Sequence, residues 1–114
     1  MADCIFCKIV AGEIPAQVVY RDEQAMAFKD IRPLMTHHYL LIPTRHIATV
    51  NDADDANQAE LGRLFVAAGK VAREQGFADQ GYRLVCNTNR DAGQEVFHIH
   101  LHMFAGKGMG WPPF

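Results

Sequence analysis

Several classes of protein are excluded by what this sequence lacks. It has no apolar run approaching the roughly 20 residues that a membrane-spanning helix needs, and Met1 to Cys4 have neither the basic region nor the apolar core of a signal peptide. It also lacks an excess of positive charge, because 11 Lys and Arg face 13 Asp and Glu, for a formal net charge of -2. A protein that holds nucleic acid through bulk charge is therefore excluded. We expect a cytoplasmic protein that binds neither nucleic acid nor membranes.

The chain also lacks internal repeats, low-complexity segments and any linker that would divide it, so we expect one domain over residues 1–114. Hydrophobic residues make up 49% and charged residues 21% of the chain, which is typical of a globular domain with a single core. Three cysteines cannot all pair in disulfides, which favours a reducing compartment. Six histidines are a surplus for so short a chain, and they indicate where to look for a site.

The hydrophobic pattern predicts an α+β domain with an antiparallel sheet of about five strands, one short helix and one long helix. Asp3 is expected to cap the short helix over residues 4–10, which Gly12 ends. The predicted strands cover residues 17–21, 25–29, 38–42, 82–86 and 96–104. The glycine-rich residues 106–114 are expected to form a C-terminal tail.

The long helix is predicted over residues 57–75 from a single apolar stripe that recurs at three- and four-residue steps. The stripe comprises Leu61, Leu64, Phe65, Ala68, Val71 and Ala72. Asn57 and Glu60 have the spacing of a capping box, and Gly76 is expected to close the helix.

Three histidines alternate with apolar residues in the last predicted strand: His98, His100 and His102. Because successive side chains of a strand point to opposite faces, we expect the imidazoles to share one face, about 7 Å apart. The apolar residues between them, beginning with Phe97, would then pack against a helix. Such imidazoles either ligate a metal together, or one attacks an electrophile while its neighbours fix its tautomer and manage the leaving group's proton. The polar loop before them contains Gly93, and its backbone N–H groups are suited to a phosphate oxygen.

The segment from Gly93 to Phe104 resembles the signature of the histidine triad (HIT) family. Short motifs in matching order extend the resemblance over nearly the whole chain: Ile5-Phe6-x-Lys8-Ile9, Glu13-Ile14-Pro15, Phe28-x-Asp30-Ile31-x-Pro33, Leu41-Ile42-Pro43 and Asn87. Trp111-Pro112-Pro113 is similar to the tail of the Hint branch, the purine nucleoside phosphoramidases. The resemblance implies the HIT fold, a homodimer whose two sheets continue across the interface, and hydrolysis of nucleoside phosphoramidates without an organic cofactor.

The same resemblance implies a role for each residue around the triad. His100 would attack the α-phosphorus of a purine nucleotide and become a nucleotidyl-imidazole, and His102 would contact the phosphate and the leaving group. This chemistry needs an unprotonated Nε2 on His100, and hence an acceptor for its Nδ1–H. The phosphate oxygens would be held by Asn87 and by the backbone of Gly93, Gln94, Glu95 and Val96.

Two further parts of the nucleotide would be bound by residues nearer the N-terminus. Asp30 would accept hydrogen bonds from the ribose hydroxyls, although the same carboxylate is suited to cap its own loop. The base pocket would be lined by four apolar residues that are also explained as core: Phe6, Ile14, Phe28 and Ile31. Glu95 departs from the pattern of animal members, which have a serine that meets the leaving group. A carboxylate only accepts hydrogen bonds and is repelled by a phosphate. Glu95 is therefore expected to affect which leaving groups are preferred.

The pair Cys4-x-x-Cys7 lies on the predicted first helix, where residues three apart share a face. The residues alone leave open a redox pair, two buried thiols, or half of a zinc site to which His46 adds a ligand. The family resemblance implies zinc, held by Cys4, Cys7, His46 and His98 in a closed structural site.

The remaining candidates are expected to be structural. Cys86 has no partner and would lie in the core, and His37 and His38 cannot share a strand face, although His38 is placed to support the catalytic pair. The alternatives to a phosphoramidase are a dinucleoside polyphosphate hydrolase or nucleotidyl transferase of the same family, a nucleotide-binding regulatory module without turnover, and a zinc enzyme whose triad is the catalytic metal site.

Overall fold

A computed structural model describes residues 3–113 of the chain. The strands are β1 (Val18–Arg21), β2 (Ala25–Lys29), β3 (His37–Pro43), β4 (Arg83–Val85) and β5 (Leu101–Ala105), and the helices are α1 (Ile5–Val10) and α2 (Gln58–Gln75). All strand pairs are antiparallel, in the order β1-β2-β3-β5-β4. The predicted α+β fold with a five-stranded antiparallel sheet is therefore confirmed, and β3 is the central strand.

Helix α2 covers one face of the sheet. Leu64, Ala68, Val71 and Ala72 are buried against strand residues that point toward the helix, among them Met103. The expectation for Phe65 is wrong, because its side chain is 61% exposed and Ala67 is buried in its place. Consecutive residues of a helix are about 100° apart, so Phe65 lies on the solvent side of the stripe that Leu64 and Ala67 define.

Helix α1 packs on the opposite face. Phe6 and Ile9 form a second buried cluster with strand residues of alternate register: Met26, Phe28, Leu40 and Ile42. Strand β3 is thus buried from both sides, since Tyr39 and Leu41 belong to the cluster under α2. Two layers of side chains enclose the sheet, and α1 stands beside the histidines.

The two helix starts differ from the prediction. The N-cap of α1 is Cys4 rather than Asp3, and the Cys4 sulfur accepts a hydrogen bond from the Cys7 backbone N–H at 3.3 Å. Asn57 occupies the N-cap position of α2, but its side chain makes no capping hydrogen bond and the capping box is not formed; the Glu60 carboxylate pairs with Arg45. The predicted end of α2 is confirmed. Gly76 has a φ of 87° and closes the helix in the left-handed conformation.

The last strand is shorter than predicted, since it begins at Leu101 and not at residue 96. The ladder with β3 begins at the pair Leu41–Leu101, although β3 itself continues to Pro43. Before that pair, the Ile99 N–H donates to the Ile47 carbonyl in the loop after β3 at 2.7 Å. Phe97 is 48% exposed, which makes its predicted packing against a helix wrong. Leu101 and Met103 do lie under α2.

The segment after β4 also differs from the prediction. Cys86 follows the end of the short strand and is exposed, so its assignment to the core is wrong. In the tail, the Gly110 carbonyl accepts a hydrogen bond from Arg83, and Trp111 is 81% exposed. Within residues 3–113, no helix combines the length and the apolar character needed to cross a membrane.

Candidate active site

A cavity of about 420 Å³ lies beside α1, on the face of the sheet opposite α2. Most of the predicted nucleotide-binding residues line it, together with three that were not predicted: Ile5, Arg32 and Leu40. The predicted lining residues are Phe6, Asp30, Ile31, Asn87, Gly93, Gln94, Glu95, Val96, His100 and His102. The loop before the triad and the loop after β2 therefore both border the cavity.

The ring of His100 is fixed by its own backbone neighbour. Its Nδ1 lies 2.9 Å from the carbonyl oxygen of His98, and because a carbonyl can only accept, in the neutral ring Nδ1 carries the proton and Nε2 has the lone pair. The edge of the Phe6 ring packs against the imidazole, with the centroids 5.1 Å apart. His100 is buried and still lines the cavity. This is the acceptor that the predicted nucleophile requires.

The neutral ring of His102 carries its proton on the other nitrogen, because of a hydrogen bond from His38. The Leu34 backbone N–H lies 3.2 Å from Nδ1 of His38, and Nε2 of His38 lies 3.0 Å from Nδ1 of His102. A backbone N–H can only donate, so in the neutral rings His38 carries its proton on Nε2 and donates it to Nδ1 of His102. His102 therefore carries its own proton on Nε2.

Both of these rings are neutral at pH 7. Burial, with the nearby rings of His100 and His38, lowers the pKa of His102 to about 4. Burial also lowers the pKa of His38, against the opposing charge of Asp30, whose carboxylate lies 3.4 Å from Nε2. The cavity thus presents one bare imidazole nitrogen and one imidazole N–H.

Asp30 performs the loop-capping task that the sequence left open and also lines the cavity. One carboxylate oxygen accepts the Arg32 backbone N–H at 2.8 Å, and the other faces His38. Its side chain is 18% exposed. The two interpretations of Asp30 are therefore compatible.

The loop before the triad is held mainly by its own hydrogen bonds. Gly93 has a φ of 77°, and its N–H donates to the Arg90 carbonyl, while the Gln94 N–H donates to the Asn89 carbonyl. Two of the four N–H groups predicted to meet a phosphate are thus engaged inside the loop.

The side chain of Gln94 is buried and holds this loop in place through three hydrogen bonds. Its amide nitrogen donates to the carbonyls of Ala48 and Val96 at 2.9 and 3.1 Å, and its oxygen accepts the Asn89 N–H. The sequence does not distinguish this buried glutamine from one that is exposed in a polar loop.

The four predicted base-pocket residues divide into two pairs. Phe6 and Ile31 line the cavity, and Ile31 is 89% exposed. Phe28 is buried in the cluster under α1, and Ile14 packs against that cluster; the cavity wall includes neither.

A second cluster lies at the end of α1. One ligand atom from each of Cys4, Cys7, His46 and His98 lies within 4.8 Å of the others. Cys4 and Cys7 sulfurs lie 3.3 and 3.5 Å from Nδ1 of His98, and the Cys7 sulfur lies 3.3 Å from Nδ1 of His46. The Pro43 carbonyl accepts from Nε2 of His98 at 2.8 Å, so Nδ1 of that ring is the bare nitrogen.

This donor set fits a zinc ion. Tetrahedral bonds of about 2.3 Å to sulfur and 2.0–2.1 Å to nitrogen place those atoms about 3.5 Å apart, close to the separations found here. Burial raises the pKa of the Cys7 thiol and lowers that of His98, and a bound cation would favour the thiolate. All four predicted ligands are brought together.

Comparison with known proteins agrees with this geometry. The HIT domain profile matches residues 11–109. The purine nucleoside phosphoramidase of Escherichia coli (strain K12) is 46% identical over 108 residues, which are 95% of this chain and 91% of that protein. The crystal structure of a HIT family hydrolase from Legionella pneumophila Philadelphia 1 has a TM-score of 0.94 and 50% identity, covering 98% of this chain and 100% of that chain. A histidine triad nucleotide-binding protein from Candida albicans has a TM-score of 0.82 and 32% identity, covering 96% of this chain and 83% of that chain.

Proposed function

The chain belongs to the HIT domain family, which includes hydrolases, and from this premise we propose that it cleaves the P–N bond of purine nucleoside phosphoramidates. One observation carries the proposal: the two imidazoles of the cavity have opposite tautomers, with a lone pair on Nε2 of His100 and a proton on Nε2 of His102. A nucleophile and a hydrogen-bond donor beside it are the two groups that displacement at phosphorus needs.

The reaction proceeds in two displacements. Nε2 of His100 attacks the α-phosphorus, a bond between imidazole and phosphorus forms, and the P–N bond to the amine breaks. The electron pair of the broken bond stays on the amine nitrogen, which takes up a proton and leaves. Water then attacks the nucleotidyl-imidazole, releases the nucleoside monophosphate and restores His100.

The other cavity residues orient the nucleotide. His102 donates its Nε2–H to the phosphate or the leaving-group nitrogen, and Asn87 holds a phosphate oxygen. Asp30 accepts from the ribose, since it lines the cavity and each carboxylate oxygen has a second lone pair beyond the one that faces Arg32 or His38. Phe6 and Ile31 are the apolar surfaces available to a purine. Ile14 and Phe28, which the resemblance also assigns to the base, support this wall from the core.

The four-residue cluster is proposed to hold a structural zinc ion through Cys4, Cys7, His46 and His98. When bound, the ion supplies a crosslink between α1, the loop after β3 and the segment before β5, with no position left for substrate. The link to catalysis runs through His98, whose ring belongs to the cluster while its carbonyl holds Nδ1–H of His100. His98 would therefore connect a bound zinc ion to the position of the nucleophile, with no contact between the ion and His100.

We further propose a homodimer and a cytoplasmic location. The dimer is supported by the family resemblance alone, and the location by the odd number of cysteines, all of which are free thiols in this structure.

A metal-dependent hydrolase is the competing proposal, because Asp30, His38 and His102 also offer ligand atoms within 4.8 Å of one another. The test is the release of amine from an adenosine phosphoramidate by the wild type, by His100→Ala, and by both after treatment with a chelator. We expect His100→Ala to lose activity by at least about a thousandfold. Turnover that survives His100→Ala and is abolished by the chelator would favour the metal mechanism, and AMP binding without amine release would favour a regulatory module.

A further inference from the structure

The nucleotide cavity shares part of its wall with a second cavity that the proposed reaction does not use. This second cavity, of about 460 Å³, lies on the other side of the loop before the triad and reaches the metal cluster at Cys4 and His46. Three residues line both cavities: Ile5, Glu95 and Val96. Glu95 therefore stands on the wall of the nucleotide cavity that borders the second cavity.

We propose that Glu95 is a specificity-determining residue that favours phosphoramidates whose leaving group carries a positive charge. This inference rests on the proposed function and names its substrate class: nucleoside phosphoramidates of diamines or of other amines that carry a second, cationic group. Glu95 lies on the wall of the same cavity as His100 and His102, where the leaving group is bound before the P–N bond breaks.

The charge of Glu95 is available to a ligand. Within residues 3–113 its carboxylate forms no ion pair, and its side chain is exposed. Among the described residues that line the second cavity, Asp3 is a further acid and none is Lys or Arg. The nucleotide cavity adds one acid, Asp30, and one cation, Arg32, so the described residues that line the two cavities carry a net negative formal charge.

The expected discrimination follows from Coulomb's law. A carboxylate beside a phosphate repels it, and a cation between the two is attracted to both. At about 6 Å, with an effective dielectric constant between that of a protein surface and that of water, one unit charge changes the binding or transition-state equilibrium by roughly tenfold. A cationic leaving group is favoured by that factor over a neutral one, and an anionic group is disfavoured by a similar factor.

The experiment compares three adenosine phosphoramidates whose leaving groups have similar length and different charge: those of ethylenediamine (cationic), propylamine (neutral) and β-alanine (anionic). kcat/KM is measured at pH 7 and at low ionic strength, since salt screens such interactions. The wild type is expected to prefer the cationic over the neutral compound by about tenfold, and the neutral over the anionic by a similar factor.

The variant that tests the inference is Glu95→Gln, which removes the charge and keeps the shape. The matched control is Asp91→Asn, which removes one negative charge from the same loop, where the carboxylate pairs with Arg90 and is 91% exposed. We expect the ratios between the three compounds to collapse to within about twofold in Glu95→Gln and to persist in Asp91→Asn. Equal ratios in Glu95→Gln and wild type would overturn the inference while leaving the phosphoramidase intact. If the wild type hydrolyses none of the three compounds, the proposed function itself fails, and the inference fails with it.

Discussion

The burial of a neutral His102 predicts a specific loss of stability in acid. The pKa of this imidazole is lowered to about 4 in the folded protein, chiefly by burial and then by its His100 and His38 neighbours, against about 6.5 in an unfolded chain. Between these two values the unfolded chain binds the proton and the folded protein does not. The free energy of unfolding must therefore fall as the pH is lowered from 6.5 toward 4, and this contribution is fully retained above pH 6.5.

The size of the effect follows from the shift. A difference of about 2.5 pKa units corresponds to roughly 3.4 kcal/mol, at 1.36 kcal/mol per unit. His102 is only partly buried, so solvent screens part of this energy, and we expect about 2 kcal/mol between pH 7 and pH 4.5.

The assay is urea unfolding of the wild type and of His102→Gln at several pH values from 7 to 4.5, in the same zinc-containing buffer. Protonation of the four cluster residues destabilises both proteins, so the difference between them isolates His102. The wild type is expected to lose about 2 kcal/mol more than the variant over this range. If the wild type and the variant lose the same free energy of unfolding, or if NMR shows that His102 titrates near 6.5, the account of a buried neutral imidazole is refuted.

Two further predictions concern the metal cluster and the core. Purified protein is expected to contain about one zinc ion per chain, and Cys4→Ser to contain almost none and to melt at lower temperature, as measured by metal analysis and thermal unfolding; an equal zinc content in both would contradict the cluster. Met103→Ala, at a side chain with 0% exposure under α2, is expected to lower the free energy of unfolding by about 3 kcal/mol, whereas Phe65→Ala, at a side chain 61% exposed, should change it by less than about 0.5 kcal/mol. Similar losses in denaturant unfolding would mean that α2 packs in another orientation.

The elements that depend on local pattern were predictable from the sequence. The stripe of α2, its end at Gly76 and the strands β1 to β3 follow from periodicity and turn residues, and all were found within a few positions. Phe65 was misassigned because a stripe wide enough to include it is compatible with the spacing, and only the surface it meets decides which edge is buried.

The start of β5 could not be predicted, for a physical reason. Alternation continues without interruption from Phe97 to Met103, so the sequence contains no stop signal before Leu101. Before Leu101 the chain leaves the ladder with β3, and the Ile99 N–H bonds to the Ile47 carbonyl in the loop after β3; both are contacts between distant parts of the chain.

The candidate site was also predictable only in part. The histidines, the cysteine pair and His46 were visible in the sequence, and the family resemblance supplied His98 as the fourth zinc ligand. The tautomers were not visible, because that of His102 depends on a backbone N–H of Leu34 that reaches it through His38. Hydrogen bonds that cross between elements have no sequence pattern.

The central claim is that Nε2 of His100 forms a covalent bond to the α-phosphorus, and a rapid-quench experiment tests it most directly. The protein is mixed with an adenosine phosphoramidate, quenched within milliseconds under conditions that preserve the phosphorus–imidazole bond, and digested for mass spectrometry, with His100→Gln as the control. The account predicts one AMP group on the peptide that contains His100, at a level that rises and decays as fast as amine is released, and no adduct in the variant. Amine release without an adduct on that peptide, or an adduct on another residue, would contradict it.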